Sequence, residues 1–229
     1  MIILAITGNP KRSGALATLT EEAVRGAEAG GADVETIRLA EKDIKPCRFC
    51  LRCREDVDSR IATCTQKDDM AEILPKIADA DAFILACPMS GGHANAYMKI
   101  FEERCCFTLG KATRRILWVK GCPESRIADR ERQAAVITTT GVVPAWSRVL
   151  CNGSTREMAS LARGIFNARV AGTLYAGLIN VRGLRERDRL KAYELGRSLA
   201  AAVRSAEDDP PRPGVAGTPP GQTIPGGSG

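Results

Sequence analysis

The stretch "IILAITGNPKRSG" (2–14) decides the fold, because it joins a short apolar run to a turn that ends in glycine. The run 2–7 has the length of a buried strand, and the helical pattern after the turn extends from about 14 to 30. A second strand pattern, "DVETIRL", follows at 33–39, so the chain opens as β-α-β. That connection predicts parallel pairing of the two strands.

The alternation of strands and helices continues along the chain. Further strands are predicted at 82–87, 134–140 and 170–177, with helices before and after each of them. Five strands alternating with helices predict an α/β fold, a doubly wound parallel sheet covered on both faces. The segment 109–133 is too long for a simple connection and is predicted to be an insertion. Residues 207–229 are so rich in Pro and Gly that we expect a disordered tail, which leaves 1–206 as one domain.

Composition limits the classes of function. The net charge of +6 is moderate and its cations are scattered, while only 4% of the residues are aromatic, so nucleic-acid binding is not favoured. The sequence has no membrane-length apolar window and no basic residue ahead of its first apolar run, which leads us to expect a cytoplasmic protein that binds no membrane. Nine cysteines in a reducing compartment favour metal or redox chemistry over disulfides.

Three loops that are rich in small and hydroxyl-bearing residues follow predicted strands. They are "TGNPKRSGALATL" (7–19), "CPMSGGHANAYMK" (87–99) and "TTTGVVPAW" (138–146). In an open α/β sheet, ligands bind at the carboxyl ends of the strands. The first loop leads into a helix N-terminus and carries Lys11 and Arg12, which suits a phosphate. The glycines of the second and third loops would let the backbone approach a flat ring, so together the loops predict a mononucleotide such as FMN.

The segment "CRFCLRCREDVDSRIATC" (47–64) follows the second predicted strand. Its first three thiols have the C-x2-C-x2-C spacing of cluster-binding loops, and Cys64 is the natural fourth ligand. Zinc would accept four thiolates too, although structural zinc sites more often use two pairs of cysteines. Free thiols, some of them redox-active, are a third reading. Five cations lie near the motif: Lys45, Arg48, Arg52, Arg54 and Arg60. They would stabilise an anionic cluster, or they would simply pair with the acids of the same loop.

The chain resembles the flavodoxin-like NAD(P)H-dependent FMN reductase superfamily, and within it the iron-sulfur flavoprotein family. The matching stretches are "GNPKRSGALATLTEEA", "IKPCRFCLRC" with "CTQKDDM", "ADAFILACPMSGGHANAYMKIFEER" and "AVITTTG". The resemblance implies a five-stranded sheet in the order 2-1-3-4-5, with the cysteine-rich loop after strand 2 and the insertion before strand 4. It also implies FMN, and a [4Fe-4S] cluster on Cys47, Cys50, Cys53 and Cys64.

The resemblance further assigns FMN contacts to positions of this chain. Phosphate contacts fall on Asn9, Lys11, Arg12, Ser13 and Gly14. Ring contacts fall on Pro88, Met89, Ser90, Gly91 and Gly92, and third-loop contacts on Thr139, Thr140 and Gly141. Asn9, Ala15 and Leu16 stand where the family pattern usually has serine, asparagine and threonine, and Ser90 stands near the place of a common aromatic residue.

These features predict an FMN-dependent oxidoreductase that passes electrons from ferredoxin or NAD(P)H to a protein or small-molecule acceptor. No side chain is required as an acid or a base, since the flavin carries the chemistry. The resemblance implies a homodimer or a homotetramer. Two alternatives stay open at this point: a cluster-free NAD(P)H-dependent FMN or quinone reductase, and a non-enzymatic, metal-stabilised protein-interaction module.

Overall fold

The computed structural model describes residues 1–116 and 119–208, without the side chains of 114–122 and 207–208. Five parallel strands form the main sheet: β1 (Ile2–Thr7), β2 (Asp33–Arg38), β3 (Ala82–Ser90), β7 (Arg132–Thr139) and β8 (Ala168–Ala176). Their order is β2-β1-β3-β7-β8, which corresponds to 2-1-3-4-5 among the core strands. The predicted flavodoxin-like fold is therefore confirmed.

The remaining strands lie outside this parallel core. Strand β4 (His93–Ala94) turns back antiparallel against the end of β3, and β5 (Gly110–Ile116) pairs with β6 (Val119–Ser125) in a separate hairpin. The hairpin occupies the first part of the predicted insertion, of which residues 117 and 118 lie outside the described residues. The sequence pattern did not predict β4, because two residues are too few to show a period.

Helices cover both faces of the sheet. The helices are α1 (Ala15–Ala29), α2 (Arg52–Glu55), α3 (Met70–Asp79), α4 (Ala96–Thr108), α5 (Gly153–Gly164), α6 (Ile179–Arg182) and α7 (Glu186–Asp208), with 3-10 turns at Leu39–Glu41 and Ala145–Val149. Helix α7 ends two residues beyond the predicted limit of the domain, and the rest of the predicted tail, 209–229, lies outside the described residues.

Two apolar cores lie on opposite faces of the sheet. On one face, α1 and α7 pack over β1, β3 and β7, and on the other face α3, α4 and α5 do so. Gly26 and Gly196 let α1 and α7 approach closely, since a Cβ at Gly196 would lie 1.8 Å from the carbonyl oxygen of Ala23. Strands β1 and β3 are buried on both sides, so their carboxyl ends are fixed rigidly at one edge of the sheet.

Candidate functional site

Strands β1, β3 and β7 are neighbours in the sheet, so the loops that follow them leave the same edge. The cysteine segment follows β2, which is the next strand beyond β1. The structure therefore brings the three predicted FMN loops together and places the cysteine segment beside them. This arrangement follows from the parallel order of the strands.

The first loop leads from Thr7 to the N-terminus of α1. The N–H of Asn9 donates to Thr7 Oγ1 at 3.2 Å, and the N–H of Lys11 donates to Asn9 Oδ1 at 3.2 Å. Asn9 is buried, so its side chain shapes the turn from inside, whereas residues 10–14 are exposed. Gly14 adopts φ 99°, a left-handed conformation that favours glycine, and it has no side chain to cap the helix. The N–H groups of the first turn of α1 are left for an anion.

Arg12 reaches across to the segment after β2. Its Nε lies 2.8 Å from Glu41 Oε1, and both side chains are solvent-exposed. Such an exposed pair contributes little stability, so the guanidinium remains free to turn toward a phosphate when one is bound. Lys11 and Ser13 are exposed on the same loop.

Asn95 joins the first loop to the second. Its side chain Nδ2 donates to the carbonyl oxygen of Gly8 at 2.6 Å, while its Oδ1 accepts the N–H of Met98 at 3.2 Å and so caps α4. A Cβ at Gly8 would lie 2.9 Å from Asn95 Oδ1, so glycine is required for this approach. The sequence analysis did not single out Asn95, although an asparagine immediately before a helical pattern is an N-cap signal.

The second loop is a tight hairpin between β3 and β4. Gly91 and Gly92 have φ angles of 57° and 91°, which let the chain reverse after Ser90. The start of α5 packs directly against this turn, since a Cβ at Gly153 would lie 2.2 Å from the carbonyl oxygen of Gly92. Pro88 and Met89 are partly exposed beside the turn.

Glu157 on α5 braces the same turn. It accepts the N–H of Ala94 at 2.9 Å and pairs with His93 Nδ1 at 2.8 Å and Lys99 Nζ at 3.5 Å. Burial by itself would raise the pKa of Glu157, but these donors outweigh it and hold the pKa below its ordinary value. His93, the single histidine of the chain, is thereby held by one ring nitrogen on the rim of the site.

The third loop uses its hydroxyl groups internally. Thr139 and Thr140 are 7% and 3% exposed, and Thr140 Oγ1 donates to the carbonyl oxygen of Val143 at 2.6 Å. Gly141 is partly exposed, and its carbonyl oxygen accepts the N–H of Asn180 at 2.9 Å. Thr140 thus holds the shape of this loop from inside, and Gly141 presents its backbone at the surface.

The cysteine loop turns sharply between its first thiols. Phe49 and Leu51 have left-handed φ angles of 50° and 60°, which are uncommon for residues with a side chain. The N–H of Phe49 donates to Cys47 Sγ at 3.4 Å, and the N–H of Gln66 donates to Cys64 Sγ at 3.5 Å. Backbone strain of this kind persists where the surroundings hold it, and it is often found at functional sites.

The four thiols lie in one neighbourhood. Burial raises the pKa of Cys53, and the nearby charges of Cys64, Cys47 and Cys50 raise it further. Within 1–116 and 119–208, no group of three or more His, Cys, Asp or Glu side chains is arranged to hold a metal ion. Four thiolates are a donor set that either an iron-sulfur cluster or a zinc ion accepts. The thiols of this loop lie near one another, and the described residues do not close them into a metal-ion site.

Two of the predicted cations near the cysteine motif form ion pairs, one with an acid of the same loop and one with an acid of α3. Arg52 lies 3.5 Å from Glu55, and Arg60 lies 2.8 Å from Asp79 on α3. Two buried arginines from distant parts of the chain contact the loop: Arg104 on α4 and Arg126 just after β6. The sequence analysis missed both, because contacts made by residues 40 to 73 positions downstream leave no local pattern.

The eight cysteines whose side chains the structure describes are all free thiols. Burial raises the pKa of Cys87, at the end of β3, to about 11, and it raises the pKa of Cys105 well above the ordinary value. Both residues act as small apolar side chains at physiological pH. Among the described residues, no helix is both long and apolar enough to cross a bilayer.

A flavodoxin-like sheet with glycine-bearing loops at the carboxyl ends of three adjacent strands defines a nucleotide-binding α/β protein. The profile of the NADPH-dependent FMN reductase family matches residues 1–120, just over half of the chain. The chain belongs to this family. The superfamily predicted from the sequence is thus confirmed.

Individual relatives agree with this assignment. The chain is 34% identical to an iron-sulfur flavoprotein of Methanocaldococcus jannaschii over 104 residues, which are 45% of this chain and 51% of the relative. It is 29% identical to an iron-sulfur flavoprotein of Methanosarcina thermophila over 104 residues, 45% of this chain and 52% of that protein. The chain thus spans about half the length of the curated relatives it matches. These matches confirm the predicted resemblance to iron-sulfur flavoproteins.

Solved structures share the fold. An FMN-dependent NADH-azoreductase of Bacillus anthracis in complex with FMN superimposes with a TM-score of 0.62 at 15% identity, over 90% of this chain and 99% of that one. An NAD(P)H:quinone oxidoreductase of Methanothermobacter marburgensis gives a TM-score of 0.62 at 19% identity, over 87% of this chain and 96% of that one. At such identities the comparison concerns the fold.

Proposed function

We propose that this protein is an FMN-dependent oxidoreductase that takes electrons from NAD(P)H or ferredoxin and passes them to a protein or small-molecule acceptor. The observation that carries the proposal is the joining of the first and second loops by Asn95, at a sheet edge where α1 begins without a side-chain cap. A phosphate beside α1 and a flat ring beside the second loop would together form a mononucleotide.

The residues of this chain have separate tasks in that function. The N–H groups from Ser13 into α1, with Lys11 and Arg12, would bind the phosphate. The Gly91–Gly92 turn would let the backbone approach one edge of the ring, while Glu157 and Gly153 hold the turn in place. Gly141 would meet the ring from the third loop. FMN, when bound, supplies the exchange between two-electron and one-electron transfer.

The cysteine loop would hold a second redox centre, a [4Fe-4S] cluster on Cys47, Cys50, Cys53 and Cys64. Three observations support this: the shared neighbourhood of the four thiols, the N–H groups that donate to two of them, Cys47 and Cys64, and the similarity to proteins named iron-sulfur flavoproteins. A cluster-free NAD(P)H-dependent FMN or quinone reductase is the second candidate. It is favoured by one observation, that the described residues hold no closed metal-ion site.

The surface beside the third loop suggests that the protein assembles with a second copy of itself. Trp146, Val149 and Leu150 are 77%, 73% and 84% exposed, and they lie within nine residues after Gly141. Apolar surface of this kind next to a ligand-binding loop marks an interaction site. We therefore propose a homodimer or a homotetramer in which these residues are covered. The free thiols support a reducing compartment, the cytoplasm.

The proposal is tested on protein purified without oxygen. FMN released by denaturation is measured against protein, together with iron, acid-labile sulfide and zinc. About one FMN and four iron atoms per chain are expected for the proposed FMN and [4Fe-4S] centres. The Cys64→Ala variant is expected to lose iron and keep FMN, while Cys151→Ala, a change at an exposed cysteine outside the loop, keeps both.

The other outcomes separate the alternatives. FMN without iron in the unaltered protein supports the cluster-free reductase. Zinc without FMN would support a metal-stabilised interaction module and refute the flavin proposal. Oxidation of NADPH and NADH, followed at the flavin absorbance under anaerobic conditions, identifies the donor; a flavin reduced only by ferredoxin would assign that donor instead.

A further inference from the structure

The base of the cysteine loop is closed by hydrogen bonds between its two ends. The N–H of Lys45 donates to Asp68 Oδ2 at 3.0 Å, and Gln66 Nε2 donates to the carbonyl oxygen of Pro46 at 3.0 Å. The N–H of Ala62 also donates to the carbonyl oxygen of Thr108, at the end of α4, at 2.8 Å. The segments before Cys47 and around Cys64 are thus fixed to each other and to α4.

Arg104 lies at the centre of this closure. Its side chain is 1% exposed, and that of its partner Asp68 is 0% exposed. Nη1 donates to the carbonyl oxygen of Lys45 at 2.8 Å and to the Asp68 carboxylate, while Nη2 contacts Asp68 Oδ1 at 3.0 Å and Cys64 Sγ at 3.5 Å. One guanidinium therefore contacts both ends of the loop and the sulfur of the fourth thiol. Its Nε is buried and has no hydrogen-bond partner among the residues that the structure describes, so one N–H of the guanidinium remains unused.

Arg126 holds the far end of the same loop. Its side chain is 1% exposed, and it donates to the carbonyl oxygens of Ser59 at 2.9 Å, of Cys53 at 3.1 Å and of Asp56. It comes directly after the β5–β6 hairpin, and its Nε donates to the carbonyl oxygen of Gly110 at 3.0 Å. Arg126 thus fixes the part of the loop from Cys53 to Ser59 to the end of the hairpin, while Arg104 fixes the two ends of the loop.

We propose that Arg104 is a positioning residue of the cysteine site, which holds Cys64 in place as the fourth ligand and donates to its sulfur. This inference deepens the proposed function and rests on it. A hydrogen bond to a cluster sulfur stabilises the more electron-rich state, and so it raises the reduction potential. The cluster of this protein is therefore expected to have a higher potential than it would without Arg104.

Helix α4 extends this role to the spacing of the two proposed cofactors. Asn95 caps the helix at the flavin loops, and Arg104 lies nine residues further on, at the cysteine loop. At about 1.5 Å per residue, the helix separates these two anchor points by about 14 Å along its axis. A single rigid element thus fixes the cysteine site relative to the FMN loops.

The experiment compares three variants of the full chain with the unaltered protein. In Arg104→Gln combined with Asp68→Asn, the charges are removed from both partners, so no unpaired buried charge is left. In Arg104→Lys the charge is kept, but one ammonium group cannot reach Lys45, Asp68 and Cys64 together. Arg197→Gln, which breaks an exposed pair with Glu194, is the matched control. Melting temperature and FMN content show whether each variant is folded.

Two measurements on the iron-loaded proteins test the inference. The double variant is expected to release iron to a chelator at least tenfold faster and to show a more negative cluster potential. Arg104→Lys is expected to release iron faster as well, with a potential closer to that of the unaltered protein. A folded double variant with unchanged iron release and unchanged potential would overturn the inference, because a purely structural ion pair predicts that result.

A third measurement separates this inference from the proposed function. Amide hydrogen exchange over residues 43–66 is followed in iron-free protein by mass spectrometry. Faster exchange of this segment in the double variant, with unchanged exchange in α1, supports the positioning role. That result holds even if the unaltered protein binds no iron, and in that case only the cluster proposal fails. Equal exchange in both proteins would show that Arg104 does not hold the loop.

Discussion

The replacement of Asn95 by alanine tests the joining of the two FMN loops. The change removes the cap of α4, worth about 1 kcal/mol, and the hydrogen bond to the carbonyl oxygen of Gly8, worth about 1 kcal/mol. The free energy of unfolding should fall by about 2 kcal/mol. For a domain of this size each kcal/mol lowers the melting temperature by about 2–4 °C, so we expect a fall of about 4–8 °C.

The same variant should bind FMN more weakly, because the first loop loses its anchor and must be ordered when the ligand binds. If that ordering costs about 1 kcal/mol, the dissociation constant rises about fivefold. Thermal unfolding followed by circular dichroism and titration of FMN fluorescence provide the two measurements. An unchanged melting temperature together with unchanged FMN affinity would refute the reasoning.

Two further variants separate the two hydrogen bonds of Asn95. Aspartate at this position still caps α4, since it accepts the N–H of Met98, but it cannot donate to Gly8. We expect Asn95→Asp to recover less than half of the stability, because its second carboxylate oxygen would face the carbonyl oxygen of Gly8, and none of the FMN affinity. Asn152 is the N-cap residue of α5 and its side chain makes no cap hydrogen bond, so Asn152→Ala is the matched control with little change in stability.

Three other predictions concern the rim of the site. Gly153→Ala should lower both stability and FMN affinity, since its Cβ would lie 2.2 Å from the carbonyl oxygen of Gly92, whereas Gly164→Ala in the same helix meets nothing within 4 Å and should be neutral or stabilising. The pKa of Glu157 is depressed below its ordinary 4.5, so its stabilising contribution is present above about pH 4.5 and is lost as the pH falls through the lower folded value. The difference in melting temperature between Glu157→Gln and the unaltered protein should accordingly shrink in acid, and a constant difference would contradict this. Leu150→Lys should lower the mass measured by light scattering to that of the monomer, while Leu190→Lys, at a residue 59% exposed on α7, should not; equal masses would exclude this surface from the interface.

The local pattern predicted the parallel core well, because its strands are buried on both faces and read as continuous apolar runs. The run 82–87 is an example: the structure extends it to Ser90, past Pro88, a residue type that usually ends a strand pattern. The C-x2-C-x2-C spacing likewise singled out the cysteine loop without any knowledge of its surroundings.

The sequence by itself determined the five strands of the parallel core, the loops at their ends and the compact group of thiols. Only the tertiary structure decided how those loops are held. The contacts of Arg104 with Cys64, of Asn95 with Gly8 and of Glu157 with Ala94 join residues 40, 87 and 63 positions apart. Such partners leave no periodic trace in the sequence, because they meet only after the sheet has brought the carboxyl ends of its strands to one edge.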